Sequence, residues 1–150
     1  MLKNDISNIL GDLFNKSFAV GIFLSALKIA KIIAIHKKDS KLECGNYRPI
    51  SILSNLDKIL EKLIYKRVNS FLESNIYDLQ FGFRKNYSTN LALLSLTENI
   101  SQQVDNGKYG CDIFIYFQKA FDSIDHDIIL SKLCHYGIRG KSNDWFKSYL

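Results

Sequence analysis

The chain holds a single proline, Pro49, and 47% of its residues are hydrophobic, which together exclude a disordered tract. Its cysteines number three (Cys44, Cys111 and Cys134), an odd count without metal-ligand spacing. That pattern argues against a disulfide framework and a zinc site, and predicts reduced thiols in an intracellular protein. The histidines His36, His126 and His135 have no partner pattern for a triad or a metal. A spanning segment is lacking too. Residues 18–35 form a largely apolar run, but Lys28 and Lys31 lie inside it, each costing about 2.5–3.5 kcal/mol near a bilayer centre. The N-terminus lacks the layout of a signal peptide, so the expectation is a soluble chain with no membrane contact. There are no repeats, low-complexity tracts or linkers, and 150 residues are enough for one domain with a core of its own. Net charge is +5, which suits an anionic partner, although solvated surface lysines alone give the same value.

Apolar periodicity outlines the elements. Ile6, Ile9, Leu10, Leu13 and Phe14 recur at helical spacing, with Gly21 beyond the last turn. Residues 29–36 are short and β-branched, which predicts a strand. Residues 39–47 are polar and read as a loop. Residues 54–74 predict a helix, with Ser54 and Asp57 in a capping-box pattern and Leu56, Ile59, Leu60, Leu63, Ile64, Phe71 and Leu72 on one face. Further helices are expected over 88–105, ended by Asn106-Gly107, over 125–136, stopped by Gly137, and from about 142 to the last residue. Residues 111–117 predict a second strand. The order gives an α/β chain.

From within that second strand the run Ile113-Phe114-Ile115-Tyr116-Phe117-Gln118-Lys119-Ala120-Phe121-Asp122 breaks into a polar turn with Ser123, Ile124, Asp125 and His126. This run resembles the first catalytic motif of reverse transcriptases from non-LTR, jockey-like retrotransposons. Asn46-Tyr47-Arg48-Pro49-Ile50-Ser51 is similar to that family's Tyr-Arg-Pro-Ile-Ser segment, and residues 28–37 to its fingers strand. Gln80-Phe81-Gly82-Phe83-Arg84 resembles its Gln-x-Gly-Phe block. Tyr136-Gly137-Ile138-Arg139-Gly140 and the Trp145-Phe146 segment resemble the family's residues C-terminal to the motif. The blocks stand in the family's order, which makes chance similarity a poor explanation even though each is weak alone.

The resemblance implies a partial right-hand polymerase, with fingers over about 1–108 and the start of the palm over about 109–150. The chain would stop short of the hairpin that bears the second catalytic motif, for no aromatic-x-Asp-Asp occurs in it. It implies an RNA template, a DNA primer and magnesium, and leaves the oligomeric state open. Lys37 and Arg48 would face the incoming triphosphate, where cations offset phosphate charge. Phe121 would screen against a ribose 2′-hydroxyl, and Gln80, Gly82 and Arg84 would lie near template and primer. Each position also has a plainer reading: a solvated lysine, a core aromatic, a turn packed by Phe81 and Phe83.

One residue breaks the pattern. Tyr116 stands where the family places its metal-binding Asp. A tyrosine phenol titrates near about 10 in water and is neutral where magnesium needs anionic oxygen. Asp112 lies about 13 Å back along an extended strand of about 3.3 Å per residue, Asp122 falls in the turn, and Asp125 reads as a helix N-cap. The family also often has Pro at the positions of Leu24 and Ala34, and Gly at that of Asp39. The expectation is therefore a catalytically inactive reverse transcriptase domain. The alternatives are a non-enzymatic RNA- or DNA-binding remnant and a maturase-like RNA-binding protein.

Overall fold

A computed structural model describes residues 2–150, with side chains from residue 6 onward. Among these residues, besides three short 3-10 turns, seven longer elements succeed one another: helix α1 (Leu2–Val20), strands β1 (Lys31–His36) and β2 (Tyr47–Ile52), then helices α2 (Asn55–Leu72), α3 (Thr89–Asp105), α4 (His126–His135) and α5 (Lys141–Tyr149). By its contacts the chain divides into two units, one running to Phe71 and resuming at Ile124–Leu150, the other Leu72–Ser123. The result is a mixed helical chain with one small sheet.

In the first unit the core is aromatic. Phe14, Phe23, Leu60 and Trp145 are buried, with Leu10, Phe18, Ile64 and Phe146 packed around them. Of the apolar stripe expected on α1, Leu10 and Phe14 turn inward while Ile6, Ile9 and Leu13 stay exposed. Trp145 is 1% exposed and meets Phe18 at 4.8 Å and Phe23 at 5.1 Å between ring centroids. Offset and edge-on ring pairs of this kind add about 0.5–1.5 kcal/mol beyond area burial. Gly21 ends α1 at φ +73, and a Cβ there would come within 3.1 Å of the Lys141 carbonyl oxygen. Both its backbone and its bareness are needed for α1 and α5 to approach.

The helix starts are set by the side chains that cap them. The Asp57 N–H donates to Ser54 Oγ at 3.2 Å, the Leu91 N–H to Ser88 Oγ at 3.2 Å, and the Asp127 N–H to Asp125 Oδ1 at 2.8 Å. Each satisfies one of the amides that a helix N-terminus leaves unpaired. Asp125 is therefore a cap, as its position before an apolar run predicts.

Two departures from the expected elements matter. β2 forms where the sequence suggests only a loop and a family segment, and pairs antiparallel with β1 in the register Ile35↔Arg48 and Ile33↔Ile50. Pro49 is tolerated in it because a two-stranded sheet consists of edge strands, where a missing N–H need not break a ladder. The expected strand over 111–117 does not form: these residues carry no regular structure and are all exposed. A strand exists through its ladder, and among the described residues no strand pairs with this segment. Its β-branched composition cannot substitute for hydrogen-bond partners.

Candidate nucleic-acid interface

The β1–β2 hairpin brings together the two cations expected at a triphosphate. In an antiparallel pair, residues opposite one another share a face, so Arg48 projects beside Ile35, with Ile33 and Ile50 next along. Lys37 comes directly after β1, and its N–H donates to the Asn46 carbonyl at 2.8 Å, which extends the pairing one step past His36↔Tyr47. By that alternation Lys37 falls on the same face as Arg48, and Lys31 marks the far end of it. Both Lys37 and Arg48 are exposed, and neither is in an ion pair among the described residues. The connecting turn is fixed by polar contacts: His36 Nε2 donates to the Asp39 carbonyl at 3.1 Å, and the Tyr47 hydroxyl to the Lys41 carbonyl at 2.9 Å.

Within the second unit lie Gln80, Gly82, Arg84 and Phe121. Gln80 Nε2 donates to the Gly82 carbonyl at 3.2 Å and closes a tight turn. A Cβ at Gly82 would meet only that Gln80 nitrogen, at 3.5 Å, so nothing among the described residues requires a glycine there. Arg84 is engaged internally. Its guanidinium donates to the Tyr77 carbonyl at 3.2 Å and to Glu73 Oε1 at 3.1 Å, and it lies over the Tyr87 ring at 4.2 Å. Phe83 is exposed at φ +61, an unusual backbone for a bulky side chain, and meets exposed Phe121 edge-on at 6.0 Å. The Phe83–Phe121 contact escaped the sequence because nothing in a linear pattern pairs two loops. Glu73 was missed for the same reason, as its partner Arg84 lies 11 residues away across a turn.

The donors present do not fit a magnesium pair. Tyr116 is 87% exposed in the irregular segment, and among the described residues no three His, Cys, Asp or Glu side chains stand together as a metal-holding group. Asp125 is spent on its cap, and the Asp122 N–H belongs to a turn closed on the Lys119 carbonyl at 2.9 Å.

Comparison with known proteins bears on what this surface is. Residues 35–150 match the family described as "Reverse transcriptase (RNA-dependent DNA polymerase)". The chain is 39% identical over 124 residues, 81% of its length, to "Probable RNA-directed DNA polymerase from transposon BS" of Drosophila melanogaster. It is 33% identical over 135 residues, 88% of its length, to "RNA-directed DNA polymerase from mobile element jockey" of the same organism. The jockey polymerase of Drosophila funebris is 34% identical over 123 residues, 80% of the chain. The chain spans only 14%, 15% and 13% of the length of these relatives. The jockey-like resemblance of the motifs holds, and the chain belongs to the reverse transcriptase (RNA-dependent DNA polymerase) family.

Proposed function

We propose that this chain is part of the reverse transcriptase of a non-LTR retrotransposon, that it holds nucleic acid through the basic face of its hairpin, and that residues 1–150 alone do not transfer nucleotides. In this reading residues 1–108 are fingers and 109–150 begin the palm, RNA template and DNA primer are the partners, and the work is intracellular. The observation that carries it is the shared face of Lys37 and Arg48, two exposed cations without internal partners at the paired end of a hairpin. Cations so placed lower the free energy of phosphate without losing an existing ion pair. Phe121 with Phe83 would offer an aromatic surface to a sugar or base, since ring faces stack on any nucleobase. Gly82 would let a backbone approach, while Arg84 acts on template by shaping the turn that carries Gln80. The family works with a divalent metal, and for a whole reverse transcriptase that metal would be magnesium. Among the described residues no three His, Cys, Asp or Glu side chains stand together. Tyr116, at the position of the family's metal-binding Asp, supports a second reading, a nucleic-acid-binding remnant without catalysis.

Fluorescence anisotropy of the chain with a primed RNA template, titrated with salt, tests the binding. Affinity should fall with salt, with a log–log slope near about −0.7 per phosphate contact on single strands, and Lys37→Gln with Arg48→Gln should flatten that slope. Binding indifferent to salt, or an unchanged slope in the double variant, would remove the hairpin from the interface.

A further inference from the structure

The segment Tyr136-Gly137-Ile138-Arg139-Gly140, which joins α4 to α5, takes no part in the surface just described, yet it builds one wall of a cavity. The cavity holds about 490 Å³, within the range of small-molecule sites. Phe18, Ile64, Val68, Phe71, Ile138 and Trp145 supply its apolar lining. Gly137 shapes the wall. It sits at φ +102, which strains any other residue, and a Cβ on it would come within 3.2 Å of Phe71 Cζ, so the ring or the turn would have to give by a few tenths of an ångström.

Two arginines, Arg67 and Arg139, are the charged residues of this lining. Arg139 Nε donates to the Cys134 carbonyl at 3.0 Å, which fixes its plane and leaves its terminal nitrogens for another acceptor. Among the described residues neither arginine has a carboxylate within ion-pair distance. No acidic side chain lines the cavity. A largely apolar hollow with uncompensated cations on its wall is complementary to a molecule that is apolar along its body and anionic at one end. A neutral apolar ligand would leave the guanidiniums with no new partner, and a cationic one would be repelled.

We propose that this cavity binds an amphiphilic carboxylate, its apolar body packed against Phe18, Ile64 and Phe71 and its carboxylate met by Arg67 and Arg139. The site is independent of the hairpin and of any nucleic acid.

Trp145 is the single tryptophan of the chain and lies on the cavity wall, so its fluorescence reads occupancy directly. The whole chain is titrated below micelle concentrations with decanoate, and in parallel with decyltrimethylammonium, which has the same tail and the opposite head. Decanoate should give a saturable one-to-one change, with affinity at least about tenfold above that of the cation, as charge-assisted contacts to a carboxylate require. Arg67→Gln with Arg139→Gln should remove that preference, while Arg67→Lys with Arg139→Lys should retain most of it. Both arginines are exposed, so circular dichroism should show the same fold in each variant. Equal affinity for the two heads would overturn the proposal, as would unchanged decanoate binding in the glutamine variant or a titration that never saturates.

Discussion

Trp145 donates its indole N–H to Ser17 Oγ at 2.9 Å inside the core, across 128 residues of sequence. The Ser17 hydroxyl in turn donates to the Ile22 carbonyl. One buried oxygen thus accepts from α5 and donates to the turn that ends α1, and fixes both around Gly21. Ser17→Ala would leave an indole N–H and a backbone carbonyl without partners in a site where Ser17 is 3% exposed. Such a loss costs about 1–3 kcal/mol for each stranded group. Urea unfolding should show a lower midpoint with an unchanged slope. A midpoint within error of the parent chain would mean that this bond does not hold the helices together.

The α2–α5 contact should make stability depend on pH in two windows. Asp57 is buried, and desolvation, aided by the nearby Glu61 charge, raises its carboxyl above the ordinary value of 3.8. The Tyr149 hydroxyl donates to Glu61 Oε1, and burial first, then that bond and the neighbouring carboxylates, raise its pKa from 10.0. Both shifts are upward, so the folded state favours the protonated form. The Asp57 contribution is complete below about pH 3.8 and is lost as pH climbs through the folded value; the Tyr149 contribution persists through neutrality and is lost as pH climbs above 10. In melts across pH, Asp57→Asn should gain stability over the parent at pH 7 and lose that advantage in acid. Tyr149→Phe should flatten the alkaline limb. A constant difference between Asp57→Asn and parent from acid to neutral would contradict the first assignment.

Tyr116 yields a prediction about chemistry. With no cluster of metal-ligating side chains among the described residues, the 150-residue chain should incorporate no deoxynucleotide on a primed RNA template in magnesium. Because positioning and charge stabilisation supply most phosphoryl-transfer catalysis, one restored carboxylate is not enough. Tyr116→Asp should stay inactive in the same extension assay. Templated extension by either chain would show that the needed carboxylates assemble after all.

Helices were legible in the sequence because their signals are local. Ser54, Ser88 and Asp125 mark starts, Gly21, Gly107 and Gly137 mark ends at positive φ, and the apolar spacing between them needs no distant partner. The sheet was less legible, since β2 depends on pairing with β1 and its own pattern is interrupted by Pro49. Asp39 shows how a departure from the family can be understood once the backbone is known. It sits at φ +65, in the left-handed region where the family often has glycine, and an aspartate tolerates that region better than most side chains. For the candidate site, motif order singled out Lys37, Arg48, Gln80, Gly82, Arg84 and Phe121 as candidates. It could not foresee that Arg84 would face Glu73 and Tyr77, because a guanidinium's partner is settled by the fold of the loop.

The segment Ile113-Phe114-Ile115-Tyr116-Phe117 should drive self-association. All five side chains are more than 70% exposed, none is charged, and the backbone carries no ladder. Alternation places Ile113, Ile115 and Phe117 on one side and Phe114 and Tyr116 on the other if the segment becomes extended, so neither side would be polar. A second copy could satisfy backbone and apolar surface at once by pairing edge to edge. The purified chain should therefore elute above monomer size in gel filtration, increasingly so at higher concentration, with amides 111–117 poorly protected from exchange at low concentration. Ile115→Lys places a charge on that surface without disturbing the buried core, to which Ile115 does not belong. It should shift the population toward monomer with a change in melting stability within about 0.5 kcal/mol, as expected of exposed positions. A parent chain that stays monomeric at every concentration, or an Ile115→Lys variant that associates as strongly as the parent, would clear this segment of the role.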